Sequence, residues 1–85
     1  MLTMRRGGAE TVFASIENDE SNRCVDLFVR ADGSFGFEEY RRDPEDAGRW
    51  TPVTGFATLR FDTKGAMREA ADRQVRWLAT RPVAF

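Results

Sequence analysis

The sequence predicts an α+β domain: an antiparallel sheet of three to four strands, with one C-terminal amphipathic helix packed on one face. Three observations lead there. Segments at 11–17, 24–30 and 35–40 alternate between two kinds of side chain, the period of a strand with one buried face. The pair Asp32-Gly33 separates two of these segments, as a hairpin turn does. Thr63–Thr80 instead repeats its apolar residues at helical spacing.

Length and composition fit one such domain. The chain has 85 residues, 41% of them hydrophobic and 32% charged, with 7 Phe, 2 Trp and 1 Tyr. That is enough for a single modest core and too aromatic for a disordered chain.

Met1–Glu10 carries Arg5, Arg6, Gly7 and Gly8 among few apolar residues, and is expected to be a mobile tail. Residues 11–85 are then the one domain. Thr11–Glu17 places Val12, Ala14 and Ile16 on one side and Phe13 and Ser15 on the other. Asn18–Arg23 is a polar loop. In Cys24–Arg30, Val25, Leu27 and Val29 alternate with Asp26, Phe28 and Arg30.

After Ala31-Asp32-Gly33, Phe35 and Phe37 alternate with Gly36, Glu38 and Tyr40. A two-residue turn would set Leu27 opposite Glu38 and mix charge into an apolar face. A three-residue loop with Gly33 left-handed sets Val29 opposite Phe35 and Leu27 opposite Phe37. Only that register keeps one face apolar, because a slip of one residue inverts the partner strand.

Arg41–Arg49 is a dense charged loop, in which Asp43 before Pro44 can begin a helical turn. Trp50–Thr54 reads as a further strand, confined to an edge by Pro52. Ala57–Phe61 alternates again, with Ala57, Leu59 and Phe61 pointing one way and Thr58 and Arg60 the other. In Thr63–Thr80 the apolar half of the helix holds Ala66, Met67, Ala70, Ala71, Val75, Trp77 and Leu78, with Gln74 among them. Asp62 or Thr63 can cap its start, Glu69–Arg73 and Asp72–Arg76 are spaced to pair, and Pro82 ends it.

One helix covers one sheet face. The inward set is expected to be Val12, Ile16, Val25, Leu27, Val29, Phe35, Phe37, Leu59 and Phe61. The opposite face is then left uncovered, with Phe13, Phe28 and Tyr40 beside Arg30, Arg60, Asp26, Glu38 and Cys24. An exposed aromatic patch marks a contact surface. Phe13, Phe28, Arg30, Tyr40 and Arg60 are therefore the candidate interface residues. The charges on this face are of both signs, as a two-fold self-contact requires.

Few chemistries are open to this chain. It has no histidine, hence no imidazole base or ligand, and only one cysteine, Cys24, hence no internal disulfide. Cys24 has no histidine to activate it and reads as a structural thiol. Glu38 and Glu39 are adjacent on a strand and point to opposite faces, so they cannot act as a catalytic pair. Asp43, Glu45 and Asp46 lack calcium-loop spacing and lie among Arg41, Arg42 and Arg49, which reads as a self-neutralised loop. Gly33-Ser34-Phe35-Gly36 joins two strands and opens no helix, so it is not a phosphate loop. No catalytic residue, metal or cofactor is expected.

The run DGSFGFEEYRRDPED at 32–46, then GRW at 48–50 and a helix ending in RWL at 76–78, resembles a group of short proteobacterial proteins with no assigned function. The likeness covers most of 24–78 and implies no catalytic or binding residues. The order strand–strand–strand–helix is also similar to small modules that pair into dimers, in architecture alone.

The function expected is a non-enzymatic interaction module, self-associating as a homodimer or binding another protein through the uncovered face or an open strand edge. The alternative is single-stranded nucleic-acid binding, with Phe13, Phe28 and Tyr40 as stacking platforms. The formal charge of −1 and the acids on the same face oppose it. An enzyme is the third class and lacks any constellation. No apolar run reaches the roughly 20 residues of a membrane helix and residues 1–10 lack a signal-peptide core, so a cytoplasmic location is expected.

Overall fold

The computed structural model describes residues 10–53 and 55–81. Four strands form one antiparallel sheet: β1 (Thr11–Glu17), β2 (Arg23–Val29), β3 (Phe35–Arg42) and β4 (Trp50–Pro52). Their spatial order is their chain order, β1-β2-β3-β4. One α-helix follows, α1 (Lys64–Gln74), so the chain is an α+β protein with its helix C-terminal to the sheet.

The β2–β3 hairpin has the register that face-matching requires. Val29 faces Phe35 and Leu27 faces Phe37. Arg30 N–H bonds to the carbonyl of Ser34 at 2.8 Å and Gly33 N–H to that of Arg30 at 2.9 Å, which leaves a three-residue loop. Gly33 sits at φ +88, where only glycine is unstrained. Asp43 accepts from Glu45 N–H and starts a 3-10 turn at Pro44–Asp46, again as the sequence predicts.

The core lies between β2, β3 and α1. Val25, Leu27, Phe37, Met67, Ala70, Ala71, Val75 and Leu78 are buried together. Met67, Ala70 and Ala71 are the residues that α1 buries in this core. Thr63 caps α1 through a bond from Ala66 N–H to its hydroxyl at 3.1 Å. Glu39 also points to this side, where Trp77 Nε1 donates to its carboxylate at 3.1 Å and Arg23 at 3.2 Å.

Several expectations change. The helix is α only to Gln74, and Arg76–Thr80 is a 3-10 turn. The break at Val75 serves packing: Leu78 stays buried, while Arg68 bonds to the carbonyls of Leu78 and Arg81 at 3.3 and 2.8 Å. The intrahelical ion pair that forms is Arg68–Asp72, at 2.8 Å. Gln74, at the helix end, is exposed rather than enclosed. Pro82 and residues 83–85 lie outside the described residues, as does the tail at 1–9.

Ala57–Phe61 is not a strand. Phe56–Thr58 is a 3-10 turn, and Phe61 alone pairs, with Phe35. Leu59 is therefore 41% exposed and not in the core. Its place is taken by Phe56, whose ring lies 5.1 Å from that of Phe37. In β1 the register shifts between Val12 and Ala14, leaving Phe13 as the extra residue of a bulge. Val12 faces Phe28 on the far side of the sheet, while Ala14 and Ile16 face Leu27 and Val25 on the helix side. Phe13 turns toward the helix side too, edge-on to Phe35 at 6.3 Å and under the Lys64 ammonium.

Candidate functional site

The face opposite α1 is the candidate site, and its residues are set by the strand registers. β2 contributes Cys24, Asp26 and Phe28. β3 sets Tyr40, Glu38 and Gly36 directly against them. β1 adds Ser15 beside Asp26 and Val12 beside Phe28.

Phe28 lies over Gly36, with the Arg30 guanidinium 5.0 Å from its ring centre. Arg30 is a hub. Its Nη1 donates to Ser34 Oγ and to the Phe35 carbonyl, both at 3.2 Å. Its Nη2 donates to the carbonyls of Ala57 at 2.6 Å and Leu59 at 3.1 Å. Glu10 stands 3.8 Å from its Nε. Glu38 completes the arrangement from the neighbouring strand by accepting from Ala57 N–H at 2.6 Å. The segment 55–59 is thus held over the sheet by one buried cation and one buried anion.

At the other end of the face, Ser15 Oγ donates to Asp26 Oδ1 at 2.6 Å and lies 3.2 Å from Cys24 Sγ. Cys24 is a buried thiol in no disulfide, also 3.7 Å from Asp26 Oδ1. Among the described residues no group of three or more Cys, Asp and Glu side chains could hold a metal ion.

The five candidate interface residues do not form one exposed patch. Phe28 has 0% of its surface exposed and Tyr40 3%, both enclosed within the chain. The Arg30 side chain is 9% exposed and committed to backbone carbonyls. Phe13 is half-buried on the opposite side, turned there by the bulge. Only Arg60 is exposed, pairing with Asp32 at 2.7 Å. The expectation of an uncovered aromatic face is thereby overturned: Phe28 and Tyr40 are enclosed, the Arg30 guanidinium lies over the Phe28 ring, and Arg30 and Glu38 bond to the 55–59 segment. The same burial removes Phe28 and Tyr40 as stacking platforms for nucleic-acid bases.

Two surface features remain. The sheet ends on β1 and β4 among the described residues. β4 has three residues including Pro52, whereas β1 has seven and no proline. A cleft of about 580 Å³ also opens beside Ser21, Asn22, Arg42 and Pro44. Arg42 is already engaged there, bonding to the Ser21 carbonyl at 2.7 Å and stacking on Trp50 at 4.8 Å. No helix among the described residues is long and apolar enough to cross a membrane.

The double grip on Ala57 was invisible to hydrophobic periodicity, which treats Arg30 and Glu38 as solvent-facing charges. Comparison with protein-family models, with curated proteins and with solved structures finds no match to this chain.

Proposed function

We propose that this protein is a non-enzymatic interaction module that self-associates by strand addition along β1, the long strand on which the sheet ends among the described residues. With the far face closed, an edge is the contact mode left of the two the sequence suggests. The observation that supports this reading is the inequality of the two edges. A three-residue strand with a proline is a poor template, while a seven-residue strand whose one charge is Glu17 is a good one. The bulge at Phe13 confines regular pairing to Ala14–Glu17.

Within that stretch the geometry names a test position. Asn18 N–H bonds to the Arg23 carbonyl at 3.0 Å, so bonded pairs alternate from there and the backbone of Ile16 faces β2. The backbone of Glu17 faces away. Glu17→Pro removes one outward donor and spares the β1–β2 ladder. Sedimentation of the wild type at high micromolar concentration should give twice the 9.7 kDa chain mass, and Glu17→Pro should give the single mass with an unchanged circular dichroism spectrum. A monomeric wild type, or a dimer that survives the proline, would refute the reading.

A further inference from the structure

We propose that Arg30 and Glu38 form a receptor for the backbone of a short apolar turn, and that the chain's own residues 55–59 occupy it as a displaceable internal ligand. This site lies at the β3 side of the sheet and is independent of the β1 edge.

The grip is on backbone, not side chain. The residue held on both its N–H and its carbonyl is an alanine, and the two bonds are each 2.6 Å. Both gripping groups are charged and enclosed: Glu38 is 2% exposed, and the Arg30 side chain lies against the Phe28 ring. Charge-assisted bonds to a backbone are among the stronger ones, yet they read no sequence. Where only stability is needed, an apolar contact serves as well as buried ions do. What charges add is the ability to hold any segment that presents an N–H and a carbonyl at this spacing.

The segment's own anchoring is sparse by comparison with a strand. Among the described residues between Val53, bonded to the Glu39 carbonyl, and Phe61, bonded to Phe35, β3 is met by a 3-10 turn and not by a ladder. Phe56 inserts against Phe37, whereas Thr58 and Leu59 face solvent. The internal occupant therefore defines the chemistry of an external one: a peptide that takes up a 3-10 turn, with an aromatic residue followed by a small one, as Phe56-Ala57 presents them. Such a peptide would bind when the internal segment lifts away, making residues 55–59 an autoinhibitory contact.

The test uses a fluorescent synthetic peptide of residues 55–61 and the full-length protein. Ala57→Pro removes the N–H that Glu38 accepts and loosens the internal segment. This variant should bind the peptide about tenfold or more tightly than the wild type, the equivalent of one charge-assisted hydrogen bond. Adding Arg30→Gln to Ala57→Pro should abolish that gain. A folded Ala57→Pro that binds no better than the wild type, or binding indifferent to Arg30→Gln, would overturn the proposal. Hydrogen exchange on the wild type gives a second reading that needs no variant. The Ala57 and Phe61 amides should exchange well ahead of Leu27 and Phe37, through local opening. Exchange of all four only with global unfolding would equally overturn it.

Discussion

Phe28 lays its ring across the bare backbone of Gly36, the residue facing it on the neighbouring strand. A β-carbon at Gly36 would stand 2.8 Å from two atoms of that ring and 2.8 Å from Arg30 Nη2. That is well inside the roughly 3.5–4.0 Å at which carbon atoms pack best. A glycine inside a strand weakens it unless something uses the space. Here the space admits an aromatic ring and, above it, a guanidinium.

Gly36→Ala should therefore destabilise the protein by about 1–3 kcal/mol through overpacking. In a Phe28→Ala background the same change should cost less, because the ring it collides with is gone and only the flexible end of Arg30 has to move. Urea denaturation of the four variants closes the double-mutant cycle. Equal costs in both backgrounds would mean that the ring does not depend on Gly36.

Phe28→Asp and Leu27→Asp should both unfold the chain, although the two residues point to opposite faces. Each side chain is fully buried, and either change puts a carboxylate in place of packed apolar surface; at position 28 the nearby Arg30 is already committed to backbone carbonyls. Circular dichroism reads the outcome directly. A folded Phe28→Asp would return Phe28 to the surface and revive the aromatic-face interface.

The Asp32 carboxyl is held below its ordinary value of 3.8, first by the Ser34 backbone N–H, then by the Ser34 hydroxyl, with Arg60 adding to both. A depressed carboxyl stabilises the folded state above its unfolded pKa. That contribution is lost as the pH falls through the lower, folded value. In an NMR titration Asp32 should thus titrate below a free aspartate, and Ser34→Ala should move it back up. An unchanged midpoint in Ser34→Ala would remove the hydroxyl from the account.

What periodicity could read, it read well. The β2–β3 register followed from keeping Leu27 and Phe37 together, because a slip would have buried Glu38 among them. Ala70 and Ala71 were legible on the buried side of the helix, and Thr63 as one of two possible caps. The bulge at Phe13 was not legible, since one inserted residue reverses the sense of an alternation without marking where. Leu59 misled because three alternating positions, 57, 59 and 61, are too short a run to separate a strand from the 3-10 turn that forms at 56–58. The far face was misread most seriously. Arg30 and Glu38 are charged, and charge in a strand ordinarily signals solvent. Their bonds to Ala57 connect positions 27 and 19 residues apart, a separation no local pattern encodes.

Cys24 is the chain's one thiol, and it is enclosed beneath Ser15 and Asp26. With none of its surface exposed, it meets a thiol reagent only when the structure around it opens. Its rate of alkylation is therefore a clock for that opening, present in the natural sequence and needing no attached probe. A single mass measurement after timed labelling would count the molecules that had opened.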